Sequence, residues 1–94
     1  MTIHPAAARE AREAHLWYSE HNPAAAEAFA HALRAAFTAI AANPARWPTH
    51  LGARRVVLQS FPFDVVFRVA LDGAPRVLAI AHHRRRPNYW AARR

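Results

Sequence analysis

Apolar residues in the first half of the chain recur at helical spacing. Ala7, Ala11, Ala14 and Tyr18 fall on one face of a helix over about residues 5–21, with Trp17 beside them. The intervening positions are rich in Ala, Arg and Glu, all good helix formers. Pro5 behind His4 suits the first helical position, where its missing N–H costs nothing. Phe29, Leu33, Phe37 and Ile40 then recur at steps of four, four and three, extended by Ala26 and Ala36. They predict a second helix over about 23–43, with Asn22 as N-cap and Pro23 as first residue. Pro44 disfavours helical geometry at Asn43 and ends it. So short a connection makes the two helices an antiparallel hairpin.

The period changes after a loop from Asn43 to Gly52. A β-branched run over about 54–60 is followed by strict alternation over about 64–71, and by a third strand over about 76–82. Phe61-Pro62-Phe63 is a bend, since proline sits poorly inside a ladder. Asp72-Gly73 is a hairpin turn. In the third strand Leu78 and Ile80 are assigned to the core ahead of Val77, Ala79 and Ala81. The expected architecture is one α+β domain over 1–94. The helical hairpin covers one face of a three-stranded antiparallel meander, and the other face stays partly exposed. Thr2 to His4 has room for a short extra strand, and residues 83–94 form a basic, aromatic tail.

Composition narrows the class. A chain of 94 residues that is 53% hydrophobic can build one core. It has no cysteine, which excludes a disulfide scaffold and thiolate metal or redox sites. No apolar run approaches the ~20 residues of a membrane span, and the first residues lack a signal-peptide pattern. The expectation is a cytoplasmic protein without a membrane partner. The net charge is +7, carried by 13 arginines and no lysine. Such a domain expects an anionic partner.

The charge is concentrated in the second half. Residues 46–94 hold ten arginines and two aspartates. Arg68 falls on the strand face opposite Val65, Phe67 and Val69, and one of Arg54 and Arg55 must share that face. Arg84, Arg85 and Arg86 end the third strand. Tyr89 and Trp90 follow, so charge and aromatic planes sit together, a pairing that contacts phosphates and stacks bases. The alternative is that Tyr89 and Trp90 clasp the tail to the core. His82 and His83 point to opposite faces of a strand and cannot share a metal; no histidine spacing supports a zinc site. There is no phosphate-cradling glycine loop and no carboxylate pair at acid/base spacing. Ser19 and Ser60 have no nucleophile context. A conventional hydrolase does not fit.

In order along the chain, Ala14 with Trp17-Tyr18, Phe29 to Ile40, Asn43-Pro44, Trp47-Pro48, Arg54-Arg55 and Phe61-Pro62-Phe63 resemble the RelE/ParE superfamily of bacterial type II toxins. His82, Arg85, Pro87, Tyr89 and Trp90 resemble its closing signature, most like the ParE and plasmid-stabilisation branch. The resemblance implies a growth-inhibiting toxin without cofactor or metal, neutralised by a cognate antitoxin with an acidic C-terminal segment. In the ParE branch the target is DNA gyrase, and no nuclease chemistry is needed. In the RelE branch the basic sheet face cleaves messenger RNA on the ribosome. Missing lysines favour the ParE reading, because arginine is a poor general base. Under it Arg84, Arg85, Arg86, Tyr89 and Trp90 meet the target, and Arg54, Arg55 and Arg68 receive the antitoxin. Under the nuclease alternative His82 or His83 moves the proton and Tyr89 positions the nucleotide.

Overall fold

Helix α1 (Pro5–His21) starts where His4 turns back on the chain. Its imidazole Nδ1 accepts the Ala6 N–H at 3.0 Å. Asn22 ends α1 and caps α2 (Pro23–Ala42), its side-chain oxygen accepting the Ala25 N–H at 3.3 Å. α2 stops at Ala42, with Asn43 as cap, because Pro44 opens a short 3₁₀ turn. The computed structural model describes residues 1–94.

Four strands form the sheet rather than three. They are β1 (Thr2–Ile3), β2 (Arg54–Val57), β3 (Phe63–Val69) and β4 (Pro75–His82), in the order β1-β4-β3-β2. The extra strand is the short N-terminal one for which the sequence left room. It lies parallel to β4, with Thr2 opposite Arg76 and Ile3 opposite Val77, so the sheet is mixed. Two residues carry too little alternation to be read as a strand.

The strand ends also differ from expectation. β2 stops at Val57 rather than near residue 60: Leu58 still donates its N–H to Phe63 O and turns into the core, and beyond it the chain reverses through Ser60, at φ 69°. β3 stops at Val69 rather than 71. Ala70 belongs to the turn, its N–H donating to Ala74 O and its carbonyl accepting from Gly73, and Leu71 is left in solvent.

β4 contains a bulge. Phe67 pairs with Val77 and Val66 with Ala79, so Leu78 is an additional residue. Alternation shifts across it. Val77 and Ile80 join the core beneath the helices, with Ala7, Phe29, Leu33, Ile40, Val65 and Phe67. Leu78, Ala79 and Ala81 join a second core with Ala53, Val66 and Trp90. Leu78 and Ile80, expected on one face, are both buried on opposite sides. The second sheet face, expected to be partly open, is covered by the tail, and Trp90 is only 2% exposed. Removing a fully buried indole costs about 3–5 kcal/mol, so the tail is part of the fold.

Candidate functional site

Beyond β4 the chain coils back through successive turns. The Arg85 N–H donates to His82 O, the Ala91 N–H to Asn88 O, and the Arg93 N–H to Trp90 O. Asn88 takes φ 61°, a left-handed conformation that asparagine tolerates. This path lays Trp90 on the sheet. It also divides the charged side chains of the tail into two groups, one on each side of Tyr89 in the chain.

The first group centres on Glu10 of α1. Its Oε2 accepts from the Tyr89 hydroxyl at 2.7 Å and from Arg93 Nη2 at 3.0 Å. Its Oε1 accepts from Arg93 Nη1 at 2.8 Å and from the Ile80 N–H at 3.1 Å. Arg93 Nη1 also donates to the Leu78 carbonyl at 3.0 Å. β1 covers the edge of β4 only as far as Val77, where the His4 N–H donates to Val77 O. Beyond that point Glu10 and Arg93 take the place of a neighbouring strand, satisfying backbone groups an open edge would expose. Burial would raise the Glu10 pKa, but hydrogen bonds from Arg93, Tyr89 and the Ile80 amide outweigh it and hold the carboxyl below its ordinary value. Burial, and then the bond to Glu10, push the Tyr89 phenol well above its ordinary value.

The second group surrounds a polar hollow of about 220 Å³ between β2, the end of β4 and the tail. Arg55, Asp64, His83, Arg85, Arg86 and Asn88 line it. Asp64 is the organiser. Its Oδ1 lies 2.8 Å from His83 Nε2 and its Oδ2 3.7 Å from Arg55 Nη1. Arg55 Nη2 donates to Asn88 Oδ1 at 3.2 Å, and its guanidinium lies 5.7 Å from the Trp90 ring centre. The Arg85 guanidinium sits 4.0 Å from the Tyr89 ring centre. No acceptor within the protein engages the Arg85 or Arg86 guanidinium, whereas Arg55 and Arg93 both have acceptors. The hollow therefore offers unsatisfied donors, with Arg85 held against Tyr89, and a net positive charge.

The other residues singled out in the sequence fall elsewhere. Arg54 faces the helix side, where its guanidinium donates to the Trp47 carbonyl; it does not share a face with Arg68. Arg68 lies on the tail side but holds the Gly52 and Arg93 carbonyls, at 3.3 and 3.2 Å. His82 and His83 point to opposite faces, as their adjacency requires. His82 sets its ring against Phe63, 5.0 Å between centres and nearly perpendicular, and its Nδ1 accepts the Arg84 N–H. Arg84 is exposed. Trp90 is buried, and the guanidinium groups of Arg85 and Arg93 cover the Tyr89 ring. Neither aromatic is free to stack a base; the clasp is the arrangement that forms.

Glu10, Asp64 and Arg93 escape the sequence reading. Glu10 had a signal. It lies three residues after Ala7 and four before Ala14, on the buried stripe of α1, where a carboxylate needs a partner. Nothing local in the sequence joins Asp64 to His83 across two strands.

A family-wide sequence model described as "ParE toxin of type II toxin-antitoxin system, parDE" matches residues 1–87 of the chain. The chain belongs to the ParE toxin family. A search of curated proteins returns no match. As a ParE toxin the protein is one half of a toxin–antitoxin pair, and membership implies a cognate antitoxin. No helix of this ParE toxin is long and apolar enough to cross a membrane. The matched region takes in both helices, all four strands and Arg84 to Arg86. Tyr89, Trp90 and Arg93, which fasten the tail, follow it.

Proposed function

We propose that this ParE toxin acts in the cytoplasm as a protein ligand of DNA gyrase, trapping the enzyme on cleaved DNA and so arresting growth. The observation that carries this reading is the presentation of Arg84, Arg85 and Arg86, without acidic partners, at the exposed end of β4 in a chain of this family. Tyr89 and Trp90 serve it by holding that end in place. The cognate antitoxin neutralises the toxin with an acidic C-terminal segment. Of the three arginines expected to receive that segment, Arg54 and Arg68 are engaged by backbone carbonyls; Arg55, though bonded to Asn88 and near Asp64, is the one that lines the open hollow. Purified toxin added to a gyrase supercoiling reaction should inhibit it and leave linearised plasmid. Arg85→Ala should relieve growth arrest without unfolding the protein. A folded toxin that leaves gyrase untouched contradicts the reading.

One observation favours a second reading, ribosome-dependent cleavage of messenger RNA. When His83 Nε2 carries its hydrogen it donates to Asp64, and Nδ1 keeps a free lone pair, on a ring that lines the same hollow as Arg55 and Arg85. A nuclease would use that nitrogen as base, with the arginines on the phosphate. His83→Ala separates the two, since it abolishes cleavage and spares gyrase inhibition.

A further inference from the structure

We propose that the hollow bounded by Arg55, Arg85 and Arg86 is a phosphate site that takes a backbone phosphodiester of duplex DNA. This deepens the gyrase reading and rests on it, because DNA held by gyrase is the duplex that would reach the site. The toxin then grips enzyme and DNA together.

Four features carry the inference. First, the donors are unsatisfied: Arg85 and Arg86 have no acceptor within the protein, and both line the hollow. Second, two of the three donors are held in place. Arg85 is stacked on Tyr89, and Arg55 is fixed by Asp64, Asn88 and the Trp90 ring. Little side-chain freedom is left to lose on binding. Third, the one acid present does not fill the site. Asp64 turns its two oxygens to His83 and Arg55, and its side chain is 14% exposed. Donors arriving from β2 and from two positions of the tail suit a tetrahedral anion with several oxygens. A planar carboxylate is matched by a single arginine fork. Fourth, neither the tyrosine nor the tryptophan ring at the hollow is available for a base. Trp90 is buried and guanidinium groups cover Tyr89. Single-stranded nucleic acid is held largely by stacking on exposed aromatics, whereas a duplex is gripped through its phosphates. The site thus favours a duplex backbone and reads no sequence.

The test is fluorescence anisotropy of the full chain with short labelled DNA duplexes of two unrelated sequences, over a series of salt concentrations. Both duplexes should bind alike, and more tightly than single-stranded RNA of equal length. Arg86→Ala should weaken binding roughly tenfold and reduce the slope of log affinity against log salt by about one. Arg85→Gln should do the same. Arg34→Ala removes an equal charge from the exposed face of α2 and should change neither value. Melting temperatures establish that each variant is folded. Equal losses from Arg86→Ala and Arg34→Ala overturn the site in favour of diffuse charge. Tighter binding of the RNA, or duplex binding indifferent to both hollow variants, also overturns it. Capture of gyrase without DNA, on the same preparations, separates the two claims. A toxin that holds gyrase but no duplex refutes the phosphate site and leaves the gyrase reading standing. One that holds duplex through Arg86 but never gyrase does the reverse.

Discussion

Arg93 and Arg86 lie seven residues apart in one tail, and their surroundings assign them opposite work. Arg93 binds both oxygens of Glu10 and the Leu78 carbonyl, closing the edge of β4. Arg86 has no acceptor within the protein and lines an open hollow. A charge whose hydrogen bonds are completed inside the fold holds the molecule together. One whose donors are left over is available to something else. Sequence alone treats all five tail arginines as one basic run; the partners sort them.

The largest effect belongs to Glu10→Ala. It strands Arg93, the Tyr89 hydroxyl and the Ile80 N–H, and should cost about 3 kcal/mol. For a domain of this size that lowers the melting temperature by roughly 15 °C. A loss within error would show that the clasp does not hold the tail. Tyr89→Phe is next. It removes one hydrogen bond and keeps the ring beneath Arg85, so about 1 kcal/mol should be lost while gyrase inhibition persists in the folded protein. Abolished activity at unchanged stability would make the hydroxyl part of the functional group instead.

Solution pH probes the same clasp. The folded-state pKa of Glu10 is depressed, so its stabilisation is complete above the ordinary glutamate value and is lost as pH falls through the lower folded one. The folded-state pKa of Tyr89 is raised, so its contribution is complete below the ordinary tyrosine value and declines as pH rises above it. Denaturant melts across the acid range should show a steeper loss for the wild type than for Glu10→Gln. Identical curves would deny Glu10 its role. The smallest effect lies away from the tail. Leu51 and Gly52 form a tight turn closed by the His50–Ala53 bridge, and Leu51 sits at φ 52° with its side chain exposed. Leu51→Gly should relieve that strain and stabilise the protein by up to about 1 kcal/mol, read as a small rise in melting temperature.

Much of the fold is legible because periodicity is a local property. The steps from Phe29 to Ile40 define α2, and the two Asn and Pro boundaries define its ends. The alternation around Val65 and Phe67 defines β3. What escapes depends on distant pairing. β1 has two residues and is a strand only because β4 lies beside it. The bulge at Leu78 shifts the inward set of β4, so no single alternation fits that strand. At the site, the basic end of β4 is visible as a run of arginines. The carboxylates that sort them are not, since Glu10 is 83 residues from Arg93 and Asp64 is 19 from His83.

On the proposed function, the Arg85 and Arg86 end of the tail meets the target while the Arg93 end holds the fold. The direct measurement is gyrase inhibition by the Arg85→Ala/Arg86→Ala double variant, at a concentration matched to folded wild type. The melting temperature should stay close to wild type, a small loss of the Arg85–Tyr89 contact aside, while trapped, cleaved plasmid is lost. Trapping equal to wild type by the folded double variant would contradict that division of the tail.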